Sequence, residues 1–144
     1  MKYAIIAATC LAALGAGYLV LNTGAEDAPV AQQAAMPGAP IVAVTVPDQL
    51  SETAQIGGRI FDASCATCHG PNAAGREGIA PPLVHKIYEP SHHGDEAFQR
   101  AVALGVRGHH WPYGDMAPVS GLTRADVQMV VAYVRELQRA NGID

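Results

Sequence analysis

The chain has 144 residues, 49% apolar but only 6% aromatic, with 13 acidic side chains against 9 basic ones and a formal charge of −4. That length allows one modest domain plus appendages. The apolar share is inflated by alanine in the first third, so a conventional aromatic core would be thin. Charges of both signs are interspersed and form no basic stripe, which excludes a nucleic-acid footprint.

The first element is an uncharged run from Tyr3 to Leu21, with Lys2 before it and Glu26 and Asp27 after it. A cleavable signal has an apolar core of about 7–15 residues, whereas about 20 residues span a bilayer. Residues 1–24 are therefore expected to be a retained transmembrane helix; the alternative is a signal removed near Thr23-Gly24-Ala25. The positive end is N-terminal, so the positive-inside rule exports everything that follows. The expected location is the inner (cytoplasmic) membrane, single-pass, with the domain in the periplasm, or the soluble periplasm after cleavage. Cys10 lies too near the start, behind Thr9, for a lipoprotein cut, and reads as a small buried apolar residue.

Residues 25–50 turn to Ala, Pro, Gln and Val, with Pro29, Pro37, Pro40 and Pro47 as breakers. This composition reads as a flexible linker. Its β-prone patch, Ile41 to Val46, is the piece that would lie against a domain instead. The domain itself is expected over 51–144. Ser51 suits an N-cap before Glu52, and a helix follows through Ile56, Ile60 and Phe61 towards Cys65. Gly57 and Gly58 are costly inside a helix, unless a crossing helix must come close. Asp95 to Leu104 reads as a helix with Phe98, Val102 and Ala101 inward. Thr123 with Asp126 resembles a capping box, and Val127, Val130, Val131, Val134 and Leu137 recur at helical spacing up to Ala140, with Gly142 as the stop. Tyr133 neighbours that stripe and could cover the glycine face beside Phe61; Met129 is expected in the core. The stretches 70–94 and 105–122, rich in Gly, Pro and His, read as loops.

Between the first helix and the first loop stands Cys65-Ala66-Thr67-Cys68-His69. C-x-x-C-H is the form of c-type haem attachment: two thiols add across the haem vinyl groups, and the adjacent imidazole reaches the iron. A zinc site would need four ligands, and Cys10 is far away. A thioredoxin-like dithiol would want a βαβ pattern, which is missing. The opposite axial position is expected from Met116, in the loop Gly114-Asp115-Met116-Ala117-Pro118-Val119 that Pro118 stiffens, with His85, His92, His93, His109 and His110 as its competitors; a thioether raises the reduction potential relative to a second imidazole, which suits an electron carrier. In Ala80-Pro81-Pro82-Leu83, a proline carbonyl from Pro81 or Pro82 is positioned to accept the other ring N–H of His69, and Leu83 to pack on the haem. Trp111, Tyr113 and Arg107 are candidates for the propionates, or the aromatic pair walls the pocket.

Taken together, Gly57-x-x-x-Phe61-x-x-x-Cys65-x-x-Cys68-His69-Gly70, then Ala80-Pro81-Pro82-Leu83, then Met116-x-Pro118 and a final helix with Tyr133 resemble a class I cytochrome c over about Ser51 to Asn141. The resemblance implies an all-α fold with crossing N- and C-terminal helices around one covalent haem c, with His69 and Met116 as axial ligands. The anchor and linker resemble those of bacterial membrane-tethered cytochromes, which implies electron shuttling between redox partner proteins, with no catalytic residues. The rivals are a peroxidase-like haem enzyme with an open sixth site and a haem subunit of a larger oxidoreductase. Two departures stand out. From Ser51 onward there is one lysine, Lys86, and seven arginines against ten carboxylates, so docking by a lysine ring is not expected. The second is the gathering of His92, His93, His109 and His110, with His85 nearby. These read as solvated loop histidines, a pH-sensitive docking surface or a copper or zinc site.

Overall fold

The computed structural model describes residues 36–144. The transmembrane or signal segment expected at 1–24 and the first part of the linker lie outside the described residues. Among the described residues four helices carry the fold: α1 (Glu52–Ser64), the single turn α2 (Ala66–His69), α3 (Asp95–Leu104) and α4 (Arg124–Ala140), with 3-10 turns at Pro71–Ala73 and Lys86–Tyr88. Among the described residues no helix is long and apolar enough to cross a membrane. Among the described residues there is no strand, only two isolated antiparallel bridges, Arg76–Ala80 and Val106–Met116.

The helices begin where side chains can satisfy their free N–H groups. Ser51 Oγ accepts from the Ala54 N–H, and Ser51 is in turn held by Glu136 of α4 through its backbone N–H (3.0 Å) and its hydroxyl (2.6 Å). At α4, Thr123 and Asp126 form the full reciprocal capping box, so both expected starts are found.

The crossing of α1 and α4 is the centre of the fold. A Cβ on Gly57 would lie 1.9 Å from the Met129 carbonyl oxygen, so the two backbones touch there. One residue on, the Tyr133 ring lies over Gly58, at 3.2 Å from where its Cβ would be. Phe61 and Tyr133 then meet with ring centroids 5.6 Å apart. Around them Ala54, Val130, Val134 and Leu137 are buried. Met129 is only half-buried; its contribution to the crossing is its carbonyl. Phe98 of α3 packs on this cluster half-buried, and no residue of α3 is fully buried. A small core of this kind is marginal alone.

Two features depart from the sequence reading. The linker expected through residue 50 is, from residue 36 on, part of the domain surface. Ala74 O accepts from both Ile41 and Val42 N–H at 3.1 Å, Glu77 O accepts from Gly38 N–H at 2.8 Å, and Asn141 brackets the Thr45 backbone with two side-chain bonds. Val44 and Leu50 pack on the core. The β-prone patch therefore lies against the domain, because its backbone groups find partners there.

The second is a buried polar network on α4. Arg135 and Gln138 are 7% and 0% exposed. The Arg135 guanidinium donates to Tyr88 O (2.7 Å), Gln138 Oε1 (2.7 Å), His93 O (2.5 Å) and Asp95 Oδ1 (2.9 Å), and lies 5.1 Å over the Phe98 ring. Gln138 Nε2 donates to Leu83 O and Tyr88 O. One planar, always-charged fork thus collects carbonyls that a loop without regular structure would leave unpaired.

Candidate haem site

Cys65 closes α1, its N–H donating to Phe61 O, and its carbonyl accepts from Cys68 and His69 N–H to start α2. The kink between the two helices puts Cys65 half-buried against the core and Cys68 in solvent, with no disulfide between them. Burial, then the neighbouring Cys68, pushes the Cys65 thiol up to about 11. A redox dithiol needs the reverse, a thiol lowered towards neutrality, so the environment is unsuited to thioredoxin-type chemistry.

His69 ends the turn half-buried, and its Nδ1–H donates to Pro81 O at 2.9 Å. Burial lowers the affinity of the ring for a proton, with the Pro81 bond opposing this. The carbonyl can only accept, so the tautomer is fixed with Nε2 as the free lone pair. This is the outer partner that metal-binding imidazoles have, and the structure assigns it to Pro81, a choice the sequence leaves open. The loop reaches this place by folding back on itself: Gly75 N–H donates to His69 O (2.7 Å) and Arg76 pairs with Ala80. Gly70 and Gly75 both have positive φ, and a Cβ at either would sit 2.5 Å from backbone, at Gly75 O and Pro82 N respectively. Pro82 is fully buried against Gly75. Leu83 packs half-buried on the protein core.

Met116 stands on the second loop. Its N–H and C=O pair with those of Val106, both at 2.9 Å, making the base of a short hairpin whose arm runs over 107–115. Gly105 lets this hairpin close, since a Cβ there would meet Met116 O at 2.4 Å. The Met116 backbone is thereby fixed while its half-buried side chain has no backbone role.

On the hairpin arm, Trp111 and Tyr113 stack with centroids 5.8 Å apart, but their polar ends differ. The Tyr113 hydroxyl donates to Glu77 (3.3 Å); burial and then the Glu77 charge raise its pKa. Trp111 Nε1 is buried with no hydrogen-bond partner, alone in this among the side chains of the described residues. The Tyr88 phenol, raised to about 12 by burial, is near enough to feel that N–H dipole, yet it does not sit at hydrogen-bond geometry. A buried unpaired donor is costly, and a propionate oxygen is an acceptor that would satisfy it. Arg107 is exposed, and its carbonyl accepts from His109.

These residues fit a haem: two thiols on one turn, an imidazole with its tautomer preset, and an orphaned indole donor. Sequence reasoning missed Arg135 and Gln138, which hold the loop from Leu83 to His93 to α4. The signal available was their spacing after Val131, which sets two polar residues on the apolar stripe.

A helical domain that carries a C-x-x-C-H turn at the end of its first helix has the attachment site of a covalent-haem protein. The Cytochrome c family profile matches residues 54–138, more than half of the chain, and the chain belongs to the cytochrome c family. It binds haem c covalently, as the C-x-x-C-H spacing of Cys65 and Cys68 indicates, and serves as a haem-based electron carrier. Comparison with curated proteins finds no match.

Proposed function

We propose that this protein is a one-electron shuttle on the periplasmic face of the inner membrane, with Cys65 and Cys68 as thioether attachments and His69 and Met116 as axial ligands. The observation that carries the ligation is the Pro81 bond, which leaves Nε2 of His69 unprotonated and aimed by a rigid loop. The haem supplies an Fe(III)/Fe(II) couple at constant coordination. The chain's own tasks are to hold that coordination, keep water out and leave one edge accessible. Met116, pinned at both backbone atoms, offers a thioether without reorganisation of its loop. Trp111 Nε1–H, buried and without a partner, would donate to a propionate oxygen.

The membrane tether rests on the Tyr3–Leu21 run, and the respiratory setting on the resemblance of anchor and linker to tethered bacterial cytochromes. With Lys86 as the domain's only lysine, docking to donor and acceptor complexes uses apolar contact and arginine rather than a lysine ring.

The test is Met116→Ala in the haem-loaded chain. The thioether bonds keep the haem attached, the sixth position opens to added ligands, the ferric sulfur-to-iron charge-transfer band disappears and the reduction potential falls. A variant whose potential and spectrum equal the parent's would show that Met116 is not a ligand. A parent that already lacks the band and binds added ligands would favour the enzyme reading.

A further inference from the structure

Four of the chain's six histidines, His69 and His85 aside, gather at one place. His92 and His93 lie in the turn before α3, and His109 and His110 on the arm of the Met116 hairpin. One ring nitrogen from each of His92, His93 and His110 lies within 4.8 Å of the other two. His109 stands beside them, with its ring 4.1 Å from that of His110 and 6.2 Å from that of His93.

Proximity alone would be a weak argument, since exposed histidines cluster without function. The outer contacts strengthen it. His93 Nδ1–H donates to Ile87 O at 2.7 Å, and His109 Nδ1–H donates to Arg107 O at 2.8 Å. In each ring the tautomer is set and Nε2 keeps its lone pair, as in His69. The backbones are braced as well: Arg135 donates to His93 O, and Gly108 N–H donates to Asp115 Oδ1 at 2.8 Å, fixing the start of the hairpin arm.

We propose that His92, His93 and His110 form a second metal site for a late first-row divalent cation, Zn2+ or Cu2+, with His109 or water as the fourth ligand. The donor set decides the class: three neutral imidazoles suit zinc and copper, whereas magnesium and calcium require oxygen ligands. A tetrahedral site with bonds of about 2.0–2.1 Å holds its nitrogens roughly 3.4 Å apart. Closing from 4.8 Å is within side-chain rotation for His92 and His110, both exposed. The consequence is mechanical. The ion clasps the hairpin that bears Met116, which follows α3, to the turn that leads into α3.

The experiment is isothermal titration of the haem-loaded full chain with Zn2+ alone, and separately with Mg2+. One equivalent of Zn2+ is expected to bind with micromolar or tighter affinity, and Mg2+ not at all. His92→Gln and His110→Gln are each expected to weaken Zn2+ at least tenfold, and the double variant to abolish saturable binding. The haem spectrum of each variant serves as the control for folding and should equal the parent's. Equal Zn2+ binding by the double variant, equal binding of Mg2+, or no saturable binding to the parent overturns the proposal. So does a changed haem spectrum in the variants, which would place these histidines in the haem site instead.

Discussion

The two glycines of α1 are neighbours with opposite expected responses to the same added methyl group. At Gly57 a Cβ would stand 1.9 Å from the Met129 carbonyl oxygen, over 1 Å inside the 3.0 Å that real Cβ atoms respect. The obstacle is helix backbone, so it is relieved only by prying α1 from α4. Overpacking costs about 1–3 kcal/mol, and backbone contact puts Gly57→Ala at about 3. Replacing glycine by alanine within a helix returns about 1 kcal/mol, leaving a net loss of about 2 kcal/mol. At Gly58 the nearest atoms are the Tyr133 ring edge at 3.2 and 3.3 Å. A shift of the ring by a few tenths of an ångström relieves that contact, and Gly58→Ala is expected to be neutral or to gain up to about 1 kcal/mol. Thermal unfolding of the haem-loaded proteins by circular dichroism should show Gly57→Ala melting about 10 °C below the parent, at roughly 4–8 °C per kcal/mol for a domain near 100 residues. Gly58→Ala should melt at or above it. Equal melting temperatures for the two variants would refute the close crossing on which the fold rests.

Arg135→Ala strands His93 O and Gln138 Oε1, while Tyr88 O keeps its bond from Gln138 Nε2, and urea unfolding should register a loss of about 3 kcal/mol from the unpaired acceptors. The ion pair contributes little, because the Asp95 side chain is 72% exposed and such pairs are screened. Arg135→Lys should not recover the loss, since one ammonium cannot reach the several acceptors that the guanidinium spans. The capping box gives a pH signature: the Thr123 hydroxyl, then its backbone N–H, hold Asp126 below the ordinary 3.8. A depressed native value means stability that is fully present above 3.8 and lost as pH falls through the lower native value. Asp126→Asn should therefore reduce the slope of stability against pH in that acid window while leaving it unchanged near neutrality.

Local chemistry was legible wherever a residue's role depends on its near neighbours. Cys65, Cys68 and His69 sit within one turn, and both helix caps lie within four residues of the groups they satisfy. The stripe from Val127 to Leu137 follows from helical period alone, and paired glycines facing a stripe of that kind point to a crossing. The roles that went unread depend on partners distant in sequence. Pro81 and Pro82 are equivalent by spacing, and only the turn at Arg76–Ala80 decides which carbonyl faces His69. Trp111 and Tyr113 are equivalent by type, yet Glu77 takes the tyrosine's hydroxyl and leaves the indole without a partner.

The linker shows the same division. Proline and alanine content correctly excludes helix over 36–50, but it does not decide between solvent and surface. Ala74 O and Asn141 decide it, by giving the backbone of Ile41, Val42 and Thr45 partners as good as water. By itself the sequence determined the haem attachment, the helix boundaries and the crossing face, because thioether chemistry and helical periodicity act over a few residues. Only the tertiary structure decided which carbonyl orients His69, what Arg135 gathers and which histidines meet. Those outcomes depend on loops closed by contacts 12 to 47 residues apart, and no local pattern encodes where such a loop comes to rest.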